Sequence, residues 1–187
     1  SKDFVCTKLD AELVKAAAMR YEPEGFPTIV FGAASGDEIV RISGYRTADE
    51  IHKVMKTVHE VGPTIMAQMA VVEKNRKDFA ANLELGRIFL ELGVADRSES
   101  YYKKALKNSS RGTEAADGEP CEAQAMFGLA KAKAANEDYR GASKMLTKLL
   151  GKHASSPHCA DYATLLESVY TDWGKPDQAT EVKTACK

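Results

Sequence analysis

Apolar positions in the first third of the chain recur at short intervals that predict strands alternating with helices. The segment DFVCTKLD, residues 3–10, is largely apolar on both faces at its start, which is typical of a short buried strand. The Ala-rich segment AELVKAAAMRY, residues 11–21, has apolar residues at helical spacing, and Pro23 and Gly25 end the predicted helix.

Two further strands and a helix complete this first part. TIVF and EIVRISGY are rich in β-branched residues and are separated by the turn sequence ASGD. Thr47 and Glu50 form a capping box in TADE, and the helix that follows should run to a break at Gly62 and Pro63. The pattern therefore predicts an α+β domain over residues 1–61, in the order β-α-β-β-α.

From residue 62 to residue 187 the pattern becomes helical and repeats itself. Three segments superpose by their small and large residues: LELGRIFLELGVADRSESYYKKAL, GLAKAKAANEDYRGASKMLTKLL and TLLESVYTDWGKPDQATEVKTAC. Two antiparallel helices approach closely where one presents Gly or Ala to a large residue of the other. We expect an all-α domain of helical hairpins, although a generic bundle of amphipathic helices would also fit the pattern.

The third copy is the least regular. It has Glu167 where a small residue is expected and Lys183 where a large apolar one is. A terminal repeat must present a polar outer face, so this copy is interpreted as an end cap.

Composition and charge narrow the functional classes. Of 187 residues, 44% are hydrophobic and the formal net charge is −1. The basic and acidic residues are interspersed, which argues against nucleic acid and anionic membranes as partners. The sequence has no apolar run of the roughly 20 residues that a membrane helix needs, so we expect a soluble chain.

The four cysteines, Cys6, Cys121, Cys159 and Cys186, include no Cys-x-x-Cys pair and no zinc-ligand spacing. We expect no metal and no cofactor. Cys159 opens the last predicted hairpin and Cys186 closes it, so a disulfide between them is one hypothesis; packing of Cys186 in place of an alanine is the other. The cysteines leave the compartment open between the cytoplasm and an oxidising exterior.

Residues 1–61 resemble the second half of a thioredoxin fold. The resemblance rests on LDAE, RYEPEGFPTIVF, SGDEIVRISGY and TADEIHKVM, in the family's order and spacing. It implies that Phe26, Pro27 and Thr28 form the cis-proline loop, next to which the family binds an extended substrate segment. Pro23 departs from the family pattern, which usually has a valine there, and this puts the entry into the following strand in doubt.

The resemblance lacks the family's first half, which carries the Cys-x-x-Cys motif. We therefore expect these residues to perform no thiol exchange, because that chemistry needs a reactive thiolate with a resolving partner. The chain is either a fragment whose catalytic half lies upstream or a degenerate domain.

Residues 62–187 resemble tetratricopeptide (TPR) repeats, which are helix-turn-helix units. The resemblance implies a concave groove lined by the first helix of each repeat. By this resemblance, the groove positions of this chain are Leu83, Arg87 and Leu90 in the first copy and Phe127 and Lys131 in the second. Two cations among apolar neighbours would suit a carboxylate or an acidic peptide.

Three functions follow as hypotheses. The first is a non-catalytic interaction module that binds a protein or peptide partner through its repeats. The second is a fragment of a thiol-disulfide oxidoreductase whose repeats select its clients. The third is self-association into a homo-oligomer, because a strand pair without its central neighbours exposes a sheet edge.

Overall fold

The computed structural model describes residues 4–23, 25–34, 36–112 and 118–182. The chain is mostly helical and divides into two compact units, residues 1–67 and residues 68–187. Helix α2 (Ala48–Lys74) contains the boundary between the two units.

The first unit contains a β-hairpin and a short helix. Helix α1 (Lys15–Tyr21) precedes strands β1 (Thr28–Gly32) and β2 (Glu38–Ser43), which pair antiparallel. Ile29 lies opposite Ile42, and Phe31 lies opposite Val40. Cross-strand pairs of β-branched and aromatic residues stabilise a sheet, so the hairpin forms where the sequence predicts it.

Arg41 of β2 connects the hairpin to α1. Its guanidinium donates to the backbone carbonyls of Tyr21 and Glu22 and lies 2.7 Å from the carboxylate of Glu38. A cation at a helix C-terminus satisfies carbonyl groups that have no partner within the helix. This contact fixes the end of α1 against the hairpin.

The strand predicted over residues 3–10 is wrong for residues 4–10, which form no strand. Among the described residues the sheet has only two strands, so this segment has no ladder to join. Phe4 instead packs its ring 5.9 Å from that of Phe31 and 6.3 Å from that of His59. The local sequence favoured a strand, but a strand needs a pairing partner that is distant along the chain.

Helix α2 begins with the predicted capping box and continues past the predicted break. The Thr47 amide donates to Glu50 Oε2 at 2.8 Å, and the Glu50 amide donates to Thr47 Oγ1 at 3.4 Å. Pro63 lies inside the helix, although proline removes one backbone hydrogen bond. Four helical turns precede Pro63 and three follow it, and their hydrogen bonds outweigh the loss.

The second unit consists of helical pairs, as the repeat pattern predicts. The pairs are α3 (Phe79–Glu91) with α4 (Ala95–Lys107), α5 (Cys121–Ala135) with α6 (Tyr139–Lys152), and α7 (Cys159–Asp172) with α8 (Pro176–Glu181). Each helix also packs on the next, with α4 against α5 and α6 against α7. Lys183 and Cys186, which the third copy was predicted to use, lie outside the described residues.

The turn inside each pair has the same backbone geometry. Gly93, Glu137 and Gly174 all adopt a positive φ, of 74°, 59° and 74°. The amide after each of them donates to the carbonyl five residues before that amide, at 2.9, 2.9 and 2.8 Å. This is the hydrogen bond of a Schellman motif, which requires the left-handed conformation. The three copies are therefore in register at their turns.

Tyr102 of α4 packs between α3 and α5. Its ring lies against Gly86 of α3 and against Gly128 of α5, and a Cβ atom added at Gly86 would lie 2.9 Å from the ring. Ser98 Oγ donates to the Gly86 carbonyl at 2.7 Å. Because α4 contacts the backbone of both neighbouring helices here, glycine is required at both positions.

Candidate functional site

The first helix of each pair carries the positions predicted to bind a partner. Gly86, Ala130 and Glu167 are equivalent in the three copies, so the surrounding positions correspond as well. We call the following set the repeat face: Leu83, Arg87 and Leu90 on α3, Phe127 and Lys131 on α5, and Thr164, Ser168 and Thr171 on α7.

Arg87 is exposed but already paired within its own helix. Its guanidinium lies 2.6 Å from Glu84 Oε1 and 2.5 Å from Glu91 Oε1. Hydrogen bonding to Glu84, and secondarily to Glu91, raises the pKa of Arg87, and the bond from Arg87 lowers the pKa of Glu84. A partner's carboxylate would have to compete with these two acids for Arg87.

Lys131 is exposed, and it lies beside an aromatic ring. Its Nζ is 4.1 Å from the centroid of the Phe127 ring, which is a cation–π geometry. No described carboxylate lies within ion-pairing distance of Lys131. Phe127 packs edge-on against the buried Tyr162 at 4.9 Å, so α7 holds the ring in place. This arrangement presents a fixed cation with an apolar base.

Leu83 and Leu90 make the apolar part of the repeat face on α3. Both side chains are partly buried, and both pack against the cluster of Tyr102, Leu129 and Ala132. Each therefore keeps one exposed side next to a rigid core. Such residues can contact a partner at little cost in side-chain entropy.

On α7 the repeat face consists of uncharged hydroxyl side chains. Thr164 Oγ1 and Thr171 Oγ1 each donate to the carbonyl four residues earlier, at 2.9 Å in both cases. Ser168 Oγ lies 3.4 Å from Asp172 Oδ2. These hydroxyls are satisfied within their own helix, so the cationic and apolar part of the face lies on α3 and α5.

An ion network that the sequence analysis missed joins α4, α5 and the start of α6. Lys133 Nζ lies 3.1 Å from Glu99 Oε1 and 2.5 Å from Asp138 Oδ2, and Lys103 Nζ lies 2.6 Å from Glu99. Burial pushes the pKa of Glu99 up, but bonds from Lys103, Asn136 and Lys133 outweigh it and leave that pKa lowered. Lys133 also holds the pKa of Asp138 below its usual value.

A second missed cluster surrounds the buried side chain of Glu119, just before α5. Its carboxylate accepts hydrogen bonds from Tyr162 and from Ser156, the latter at 3.2 Å, and lies 3.4 Å from His158 Nε2. Burial raises the pKa of Tyr162, and the bond to Glu119 adds to this effect. The cluster ties the start of α5 to the start of α7, so it holds the repeats together.

The predicted cis-proline loop lies in the first unit. The peptide bond between Phe26 and Pro27 is cis, and Phe26 is 74% exposed. Thr28 Oγ1 donates to the Gly25 carbonyl at 2.5 Å, and the Gly44 amide donates to the Pro27 carbonyl at 2.8 Å. These bonds fix the loop at the open end of the hairpin.

The described cysteines differ in their redox state. Cys159 is disulfide-bonded, whereas Cys6 and Cys121 are thiols. The predicted pairing of Cys159 with Cys186 remains a prediction, because Cys186 lies outside the described residues.

The described residues contain neither a metal-binding cluster nor a helix that could span a membrane. No group of three or more His, Cys, Asp or Glu side chains within them could hold a metal ion. Their helices include none with the length and apolar character that crossing a bilayer requires.

Comparison with known proteins identifies the fold of the repeats. The crystal structure of MamA, a TPR-repeat protein, is similar to this chain with a TM-score of 0.56 and 18% sequence identity, over 76% of this chain and 74% of MamA. No protein-family model and no curated protein matches the sequence. The chain therefore contains a TPR-like helical repeat fold, and at this identity the likeness to MamA describes the fold alone.

Proposed function

We propose that this chain is a protein–protein interaction module that binds a peptide segment of its partner through the repeat face. One observation carries the proposal: Lys131 is an exposed cation with no described carboxylate partner and is held over Phe127, and the equivalent helix of the first pair carries the partly exposed Leu83 and Leu90. A cation among rigid apolar side chains suits a peptide with a carboxylate next to apolar residues.

Arg87 plays a smaller part in this proposal than the sequence alone predicts. Its pairing with Glu84 and Glu91 neutralises its charge, so it selects the partner mainly by shape. Lys131 then provides the single attractive charge of the face. The expected ligand has one carboxylate rather than a run of them.

Peptide display on the immobilised chain tests this function. We expect the selected peptides to share an Asp, a Glu or a C-terminal carboxylate beside two or more apolar residues. Lys131→Glu should weaken their binding at least tenfold, because it replaces an attraction by a repulsion. Lys56→Glu, an exposed position on α2, is the matched control and should bind as the unaltered chain does. Equal loss in both variants, or selected peptides without acidic residues, would contradict the proposal.

A second candidate is that residues 1–61 are the second half of a thioredoxin-like domain, within an intact thiol-disulfide oxidoreductase. Two observations favour it: a two-stranded sheet with no third strand in the described residues, and large apolar side chains exposed around it. These side chains include Leu13, Met19, Phe26 and Tyr45.

The mass of the native gene product distinguishes the two candidates. A product heavier by roughly 50 residues, with a Cys-x-x-Cys pair and insulin-reducing activity, would establish the oxidoreductase. A product of the same mass as this chain, without such activity, would exclude the oxidoreductase and favour the interaction module.

A further inference from the structure

The outer helices of the first two repeats carry a concentration of positive charge that the repeat face does not use. Helices α4 and α6 together contain eight Lys or Arg residues and two Asp or Glu residues. Helices α7 and α8 contain five acidic residues and no basic one. The near-neutral net charge of the chain hides this separation.

The basic residues lie on the side of each helix that faces away from the core. In α4 the buried residues are Ser98, Tyr102 and Ala105, while Lys103, Lys104 and Lys107 are exposed. In α6 the buried residues include Ala142, Leu146 and Leu149. Its exposed cations are Arg140, Lys144, Lys148 and Lys152. We call these seven exposed cations the basic stripe.

The two helices bring their parts of the stripe to the same side of the unit. Ser98 and Ala142 are equivalent positions, and Lys104 and Lys148 each lie six residues further on. Equivalent positions in stacked repeats face the same way. Both helices also pack on α5, and Lys133 links Glu99 of α4 to Asp138 at the start of α6.

Only part of this charge is neutralised. Glu99 pairs with Lys103, and Glu122 pairs with Lys148 and Lys152. Lys107, Arg140 and Lys144 have no carboxylate within ion-pairing distance among the described residues. Arg140 and Lys144 lie one helical turn apart on α6, so together they attract an anionic partner.

We propose that the basic stripe binds an acidic α-helix of a protein partner. The cations of α6 recur at every fourth residue, which is a spacing of about 6 Å along a helix. Carboxylates at every fourth residue of a second helix have the same spacing, so the two rows can pair along several turns. A single-stranded nucleic acid fits less well, because such sites place exposed aromatic rings between the cations. The exposed uncharged residues between these cations are Ser100, Thr147 and Gly151.

Fluorescence anisotropy with two probes tests the proposal. The first probe is a labelled Ala-rich helical peptide with Glu at every fourth residue, and the second is a single-stranded DNA of the same net charge. We expect the chain to bind the peptide more tightly than the DNA, and we expect salt at 0.3 M to weaken peptide binding about fivefold. Tighter binding of the DNA would overturn the proposal in favour of a polyanion site.

Charge reversal locates the site. The double variant Arg140→Glu/Lys144→Glu should weaken peptide binding roughly tenfold, because two attractions become repulsions. Lys53→Glu/Lys56→Glu on α2 alters the net charge equally and should have no effect beyond a small general one. Equal weakening by both double variants would refute the proposal, and circular dichroism checks that each variant is folded.

Discussion

At the scale of single residues, the repeats depend on positions where two helices pack so closely that only glycine fits. Tyr102 lies against Gly86 and Gly128, two glycines of different helices. Burial raises the pKa of Tyr102 to about 12, which fits a phenol held among helices. The sequence marked Gly86 as a small position, but the role of Gly128 became apparent only when α5 was placed on α4.

Replacing Gly128 tests this packing. We expect Gly128→Ala to lower the free energy of unfolding by about 2 kcal/mol, because the new Cβ would occupy the space of the Tyr102 ring. Gly151→Ala is the control, since nothing lies within 4 Å of a Cβ at that helical position. It should be neutral or stabilising by up to about 1 kcal/mol. Urea unfolding measures both, and equal effects would rule out the close approach.

The turn of the second pair holds a residue under backbone strain. Glu137 has a φ of 59° where the other two pairs have glycine. We expect Glu137→Gly to raise the free energy of unfolding by about 0.5 to 1 kcal/mol, because glycine adopts this conformation without steric cost.

The converse substitution provides the control for this turn. Gly93→Ala places a Cβ at the equivalent position, where φ is 74°, and should cost about 1 kcal/mol. Thermal unfolding of the two variants measures both effects. A loss of stability in both would show that Glu137 makes contacts that outweigh its strain.

At the scale of elements, the sequence patterns correctly predicted those elements whose formation depends on interactions within one segment. The hairpins from α3 to α8 follow from helical spacing and turn residues, which act within one segment. The strand over residues 3–10 failed because its stability depends on pairing with a distant segment. The role of Glu119 was not predicted for a similar reason, because its hydrogen bond with Tyr162 joins residues 43 positions apart. The pairing of Arg87 with Glu84 and Glu91 was present in the sequence as i−3 and i+4 neighbours.

The network around Glu99 should make the stability of the repeats dependent on pH. Its folded pKa is lowered, so its contribution is present above the unfolded value of 4.5 and is lost as the pH falls through the folded value. We expect a loss of about 1 kcal/mol below pH 4, since the pairs are partly exposed.

The variant Glu99→Gln identifies the source of this dependence. It should be less stable at pH 7 and should lose less on acidification than the unaltered chain does. Glu60→Gln, at an exposed position on α2, should leave the dependence unchanged. Urea unfolding at pH 7, 5 and 3.5 compares the three proteins, and parallel curves for all of them would exclude Glu99 as the cause.

The last hairpin offers a redox prediction. Cys159 is disulfide-bonded, and we expect its partner to be Cys186. The closed loop would have about 28 residues, for which loop closure predicts about 3.6 kcal/mol of stabilisation. Peptide mapping under non-reducing conditions should recover the Cys159–Cys186 pair. Recovery of Cys159 with Cys6 or Cys121 instead would contradict the pairing.

At the scale of the whole molecule, the repeats carry two surfaces of different chemistry. The repeat face on α3 and α5 is apolar with a single unpaired lysine. The basic stripe on α4 and α6 is polar and carries seven cations. The two surfaces would recognise different chemistry, so one chain could contact two segments of a partner. The sequence predicted the first surface through its resemblance to TPR repeats, whereas the second appeared only when exposure and pairing were known.

A titration of the ¹⁵N-labelled chain with a peptide selected on it, followed by heteronuclear NMR, reports directly which residues contact the peptide. We expect the largest chemical-shift changes at Leu83, Leu90, Phe127 and Lys131, and we expect Lys131→Glu to abolish them at the same peptide concentration. Shift changes confined to residues 1–67, or changes that persist in Lys131→Glu, would contradict the claim that the repeat face binds the partner.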